Sequence, residues 1–276
     1  MNIKAYAKIN FVLNVLGQRP DGFHNVETVM QALDFFDVIK ITAGRESKTA
    51  VFLDCEDKAV PAGEDNIAWK AAMLMHDTFR GDTNDGIYID IMKRIPVAAG
   101  LAGGSADAAA VLAGLAKLWN IDPKDVYPVA AKLGSDVPFC FANHQGIYSA
   151  LAAGTGTELT PLEPTECKVL LAPSADGLST KAVYETLGSA VKKPFNTGAF
   201  RWNAPLKVKA ASMGNHLADA ALSLKPELSE TLAALKGIDS PLYTGVSGSG
   251  PTCFSVYHKS VQFKEPEGMM LLETLK

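Results

Sequence analysis

Between Pro96 and Ser105 the chain reads Pro-Val-Ala-Ala-Gly-Leu-Ala-Gly-Gly-Ser and passes into an Ala/Leu-rich stretch reaching Trp119. Small residues let a backbone close on an anion. The unpaired N–H groups of a following helix, at the positive end of its dipole, then face that anion. The chemistry this segment suits is the cradling of phosphate. It is not a Walker A loop, because Gly-Lys-Ser/Thr is missing, and the Gly-x-Gly-x-x-Gly spacing fails as well. Read alone, it is also a helix–sheet contact in which small residues permit close packing. Three further segments carry polar groups. Ala7-Lys8-Ile9-Asn10 sets an ammonium and an amide two residues apart, on one face of a strand. Gly134-Ser135-Asp136-Val137-Pro138 places a carboxylate after a helix break, where a bare aspartate is usually an N-cap or turn residue. Ser247-Gly248-Ser249-Gly250-Pro251-Thr252 is a second run of backbone donors, or a bulge or tight turn.

These groups need elements to hold them. Residues 3–15 mix β-branched and aromatic side chains and read as a strand, closed by the turn chemistry of Arg19-Pro20-Asp21-Gly22. Further strands are expected over 37–42, after the apolar 29–36, and over 50–53. Ile67, Ala71, Leu74, Met75 and Phe79 recur at helical spacing and predict a helix over 66–80, and 86–92 alternates as a half-buried strand. A strand leads into the glycine loop and a helix follows it to Trp119. Asp122-Pro123 turns the chain into a shorter helix over 123–133, which Gly134–Pro138 breaks before another apolar run. A strand over 168–172, helices over 180–187, 212–223 and 227–235, and a last glycine-rich strand over 246–257 complete the reading. The pattern shifts near 155–165, so a boundary is expected there.

Composition narrows the class. A chain of 276 residues with 47% hydrophobic content can bury a sizeable core, which excludes wholesale disorder. Lys plus Arg (26) against Asp plus Glu (30) leaves −4, so no strongly basic field serves nucleic acid. The uncharged stretch from Ile95 to Ala106 is too short to span a bilayer, and the first residues lack a secretory signal's apolar core. A soluble, cytoplasmic protein is expected. Cys55, Cys140, Cys167 and Cys253 form no Cys-x-x-Cys pair and the histidines are scattered, so reduced cysteines packed as small hydrophobes are expected.

In chain order, the Lys8 segment, Pro-x-x-x-Gly-Leu-x-Gly-Gly-Ser (96–105), the Asp136 segment and Gly-Ser-Gly-Pro-Thr (248–252) resemble the motifs of the GHMP kinase superfamily of small-molecule kinases. Within it, several segments are similar to those of the 4-diphosphocytidyl-2-C-methyl-D-erythritol kinases of non-mevalonate isoprenoid synthesis. They are Ala-Tyr-Ala-Lys-Ile-Asn (5–10), Arg-Pro-Asp-Gly-Phe-His (19–24), Asp-Asn-Ile (65–67), Lys-Arg-Ile-Pro (93–96) and Gly-Ser-Asp-Val-Pro-Phe (134–139), with Gly-Leu-Ser-Thr (177–180) and Pro-Glu-Leu (226–228). The resemblance implies an α/β (α+β) GHMP kinase fold of two domains. An ATP-binding domain like ribosomal protein S5 domain 2 takes 1–155, and a ferredoxin-like α+β domain takes 156–276. It implies ATP and Mg²⁺, transfer of the γ-phosphoryl group to a tertiary hydroxyl of the cytidine-diphosphate substrate, and a monomer or homodimer without nucleic-acid or membrane partners. The rivals are the same chemistry on another small alcohol, mevalonate-like or sugar, and a nucleotide-binding homologue without turnover.

The resemblance also implies roles. Asp136 is the general base, and the ammonium of Lys8 beside it favours developing alkoxide and an ionised carboxylate. Read alone, Lys8 is a solvated edge-strand lysine. Pro96, Val97, Ala98, Ala99, Gly100, Leu101, Ala102, Gly103, Gly104 and Ser105 line the ATP phosphates, with the Ser105 hydroxyl as a Mg²⁺ or phosphate contact. Asn66, Ile67 and Lys93 fall at adenine and ribose, although Asn66 also reads as a helix N-cap and Lys93 as a surface residue. Phe23 and Tyr184 stack on cytosine, His24 reads its edge, Asn10 orients the acceptor, and Gly248, Ser249 and Gly250 offer backbone donors near it. Phe23 reads equally as a core aromatic. The chain departs from the family pattern with alanine at 98, 99 and 102, Glu185 in place of Lys, His216 in place of Asp, and a short tail after Tyr257 where a fuller helix is expected.

Overall fold

A computed structural model describes residues 1–44, 51–81, 83, 86–174, 176–188 and 192–276. Two long strands open the chain, β1 (Asn2–Gln18) and β2 (His24–Gly44). In the turn between them Asp21 accepts N–H bonds from Phe23 and from the Arg19 guanidinium, with Gly22 at φ 86°. The strands expected over 3–15 and 37–42 are parts of these longer ones. Residues 29–33 belong to β2 as well and are all buried. A strand covered on both faces reads as a near-continuous apolar run, here interrupted by the buried Gln31, without the alternation that marks a half-buried one.

The chain divides into two compact units that share these strands. The first takes Met1–Ala7, Phe35–Val97 and Ala102–Gly146, and the second takes Lys8–Asp34, Ala98–Leu101 and Ile147–Lys276.

In the first unit β3 (Val51–Cys55) runs parallel to β4 (Gly86–Met92), which pairs antiparallel with residues 38–44 of β2. Residue 50, expected to begin the third strand, lies outside the described residues. The inward faces of these strands, Ile39, Ile41, Leu53, Ile87, Ile89 and Ile91, share one core with helices α1 (Ile67–Phe79) and α2 (Gly103–Trp119). Of the six alanines of α2, five (106, 108, 109, 110 and 116) are buried there and Ala113 is partly buried. Helix α3 (Pro123–Leu133) starts where expected, with Pro123 at its first position and Asp122 accepting the Lys124 N–H at 3.0 Å. The apolar run after Pro138 is a short helix, α4 (Val137–Ala142).

In the second unit β5 (Ser149–Ala153) pairs antiparallel with residues 28–31 of β2 and with β6 (Glu158–Pro161). β7 (Lys168–Ala172) is followed by helices α5 (Thr180–Leu187), α6 (Gly198–Arg201) and α7 (Leu206–Ala211). Then come β8 (Gly214–Asn215), α8 (Ala218–Leu224) and α9 (Leu228–Lys236). The helix expected over 212–223 is therefore interrupted. Gly214 and Asn215 pair parallel with Val12 and Leu13 of β1, and the Asn215 amide donates to the carbonyls of Val246 and Gly248. The single strand expected over 246–257 is two, β9 (Tyr243–Val246) and β10 (Cys253–Tyr257), joined by the glycine loop. No helix occupies 258–269. The tail ends in β11 (Met270–Glu273), which pairs with β7. The antiparallel order β11-β7-β10-β9 is 4-1-3-2 in chain order, the ferredoxin-like arrangement with its second crossover helix missing.

All four cysteines are free and buried. Burial pushes the Cys167 and Cys253 thiols up to about 12, so neither is a thiolate at neutral pH. A thiol-specific disulfide reagent at pH 7.5 is expected to leave both unlabelled in the native protein and to label both in denaturant, as read by peptide mass spectrometry. No helix among the described residues is long and apolar enough to cross a membrane.

Candidate active site

In the second unit, period-two alternation turns Lys8 and Asn10 to one face of β1. Both are buried, so Lys8 is not a solvated edge lysine. Its ammonium donates to Asn10 Oδ1 at 2.8 Å, the Asn10 amide donates to Thr28 Oγ1 at 2.8 Å, and the Thr28 hydroxyl donates to the Val12 carbonyl at 2.7 Å. This one-way chain settles which end of the Asn10 amide faces the ammonium. Thr28, which sequence reasoning missed, is its far support. Thr28→Val would strand the Asn10 N–H and the Val12 carbonyl in a buried setting. It is expected to lower stability by about 1–3 kcal/mol in urea unfolding, with Thr28→Ser close to wild type.

Two loops meet beside this lysine. The Lys8 N–H donates to the Leu101 carbonyl at 3.1 Å, and the Thr252 N–H donates to that of Ala99 at 3.2 Å. Ser247 Oγ donates to the Gly100 carbonyl at 3.0 Å. A Cβ on Gly248 would lie 3.4 Å from Asn10 Oδ1 and 3.5 Å from Lys8 Nζ, so the loop backbone passes directly over the pair. Ser249 Oγ is 2.8 Å from Thr180 Oγ1, at the start of α5. The Gly250–Pro251 peptide is cis. The His24 ring lies against that of Tyr184, with centroids 4.8 Å apart and planes at 31°. Phe23 is 61% exposed and is not a core aromatic. His216 is buried, its Nδ1 accepting the Val15 N–H at 3.0 Å, and Glu185 lies 3.9 Å from Lys181 on the surface of α5.

Ala98 and Ala102 adopt the left-handed conformation, at φ 54° and 59°, that glycine takes most easily. The methyl of Ala98 has room because Gly177 faces it, and Ala99 is buried.

In the first unit α2 opens on Gly103, Gly104 and Ser105. Its cap residue Ala102 supplies no side-chain bond, and no acidic side chain stands in the first turn, so the helix's own first turn does not compensate its electropositive end. Ile67 lies beside Gly104. Asn66 is the N-cap of α1, its Oδ1 accepting the Ala68 N–H at 2.8 Å and its amide donating to the Pro61 carbonyl at 2.7 Å. Lys93 is no surface residue. Its ammonium bridges Asp37 on β2 and, at 2.8 Å, Asp107 on α2. Burial opposes the charge on Lys93, but the two carboxylates outweigh it and hold its pKa above the ordinary value. Burial pushes the Asp107 carboxyl up. Neither aspartate was picked out from the sequence: β2 carries both Asp34 and Asp37 among apolar residues, and only the fold exposes the first and buries the second. Asp136 precedes α4 at the cap position and makes no side-chain capping bond to it.

A mixed α/β fold with a helix that starts on glycines in one unit and a ferredoxin-like sheet in the other places the chain among small-molecule kinases of the GHMP class. Residues 66–144 match the GHMP kinases N terminal domain. The 4-diphosphocytidyl-2-C-methyl-D-erythritol kinase of Brevibacillus brevis is 39% identical over 274 residues, covering 95% of this chain and 89% of the relative. That of Caldanaerobacter subterraneus is 37% identical, covering 94% and 88%. The chain belongs to the 4-diphosphocytidyl-2-C-methyl-D-erythritol kinase family. A crystal structure of 4-(cytidine 5'-diphospho)-2C-methyl-D-erythritol kinase aligns over all of both chains with a TM-score of 0.75 at 26% identity. Homoserine kinase from Cytophaga hutchinsonii, at 18% identity and a TM-score of 0.66, shares the fold.

Proposed function

We propose that this chain transfers the γ-phosphoryl group of ATP to the tertiary hydroxyl of 4-diphosphocytidyl-2-C-methyl-D-erythritol, releasing ADP. The observation that carries the reading is the buried Lys8–Asn10–Thr28 chain beneath the Gly248 loop. A buried ammonium fixed by such a hydrogen-bond chain is a preorganised cation for negative charge that develops beside it. Asp136 takes the hydroxyl proton as the new O–P bond forms and the bond to the ADP oxygen breaks. Lys8 steadies the alkoxide character of the attacking oxygen, and Asn10 orients the acceptor. The exposed Phe23 ring and Tyr184 offer faces to cytosine, and His24, held against Tyr184, offers ring nitrogens to its edge. The backbone of Gly248, Ser249 and Gly250 donates to the acceptor. The segment from Pro96 to Ser105 takes the phosphates at the open start of α2, with Asn66 and Ile67 on the adenosine side.

Among the described residues no cluster of three or more His, Cys, Asp or Glu could cage a metal. The Ser105 hydroxyl would hold Mg²⁺, an ion that keeps most of its waters and needs only one or two protein oxygens beside substrate phosphates. When bound, Mg²⁺ neutralises phosphate charge.

The test is ADP release with Mg-ATP and the cytidylyl compound, beside mevalonate and galactose. Turnover confined to the first supports the reading. Turnover only on another alcohol would discard the substrate, and ATP binding without any turnover would discard the activity.

A further inference from the structure

The Asp37–Lys93–Asp107 cluster holds three charges out of water, with side chains 0%, 7% and 5% exposed. The attraction between such groups repays their removal from solvent only where the geometry is close and further hydrogen bonds are made. That geometry is specific. Asp37 Oδ2 accepts from the Lys93 ammonium, while its Oδ1 accepts the backbone N–H groups of Arg94 and, at 2.8 Å, Ile95. Asp37 thus grips the three residues that lead into the glycine segment. Lys93 then reaches across to Asp107, on the second turn of α2, the helix that leaves the segment. A Cβ on Gly103, the first residue of α2, would lie 3.2 Å from Lys93 Nζ and 3.0 Å from Ile95 Cγ2. The helix start is therefore seated on the ammonium itself. Asp107 Oδ1 is buried and makes no hydrogen bond, so this carboxylate serves Lys93 and little else.

We infer that Asp37 and Asp107 are positioning residues that lock the first turn of α2 for phosphate through Lys93, and that Lys93 acts through this clamp, its ammonium not touching nucleotide. The inference rests on the ATP reading above for its purpose but not for its geometry, and the two are separable. The clamp is read without ATP by hydrogen exchange of the peptide spanning 93–107, and with ATP by steady-state kinetics.

The variants are Asp37→Asn, Asp107→Asn, Lys93→Met and the double Lys93→Met/Asp107→Leu. Each single variant is expected to speed exchange of 93–107 and to raise KM for ATP by about tenfold or more, with KM for the alcohol within about twofold. The double variant replaces the Lys93–Asp107 pair by apolar groups and leaves Asp37 to its two backbone donors, so it is expected to recover part of the unfolding midpoint lost in Lys93→Met while KM for ATP stays raised. It therefore keeps the idea testable where a single variant folds poorly. Three results would overturn the clamp. One is unchanged exchange in both aspartate variants. A second is a raised KM in Lys93→Met with both aspartate variants at the wild-type value, which would put Lys93 on the nucleotide. The third is a double variant that recovers KM together with its midpoint, which would make the cluster merely structural. A wild type that turns over no ATP, with faster exchange in the single variants, would leave the clamp standing and count against the kinase reading alone.

Discussion

Asp136→Asn is expected to lower kcat for phosphoryl transfer by about 10²–10⁴-fold while KM for ATP changes little. The amide matches the carboxylate in size and can occupy the same position ahead of α4, where Asp136 has φ −86° and ψ −15° and makes no capping bond to that helix. What it cannot do is accept a proton from an attacking hydroxyl. The loss should therefore fall on the chemical step. Rapid-quench measurement of a single turnover separates chemistry from product release. A variant that keeps kcat within about threefold would reduce Asp136 to an ordinary turn residue and remove the base from the mechanism.

Gly100→Ala should have the largest effect on the folded state. At φ 77° any L side chain is strained, and the added methyl would lie 2.4 Å from the Ser247 carbonyl oxygen and 2.7 Å from that of Gly250. Both obstacles are backbone, so neither can swing aside as a flexible side chain would. The loops must part, breaking the bond from Ser247 Oγ to the Gly100 carbonyl. Together, strain and displacement are expected to cost about 2–4 kcal/mol, read as a lower midpoint in chemical denaturation, with KM for ATP raised. The alanines nearby provide the contrast. Ala98→Gly and Ala102→Gly relieve about 1–2 kcal/mol of left-handed strain each. They also give back roughly 0.4–1 kcal/mol through a freer unfolded chain. Stability should therefore rise by between about 0 and 1.6 kcal/mol. A Gly100→Ala variant as stable as wild type would mean that the two loops do not pack as described.

Much of this molecule was legible along the chain. Helix α1 begins at the asparagine that caps it, α3 at Asp122-Pro123, and the alanine-rich α2 directly after the glycines, because capping and turn chemistry act over three or four residues. Lys8 and Asn10 share a face by strand alternation alone, and the ordered motifs by themselves point to the kinase family.

The tertiary structure decided what depends on partners far along the chain. Residues 29–33 carry no alternating pattern because both faces of β2 are covered there. Helical spacing over 212–223 yields at Gly214-Asn215, whose partners are Val12 and Leu13 about two hundred residues earlier. Thr28 supports Lys8 across two strands, and Asp37, Lys93 and Asp107 meet from β2, the approach to the glycine segment and α2. A buried polar group must find its complement wherever the fold brings one, and spacing in sequence carries no record of that distance.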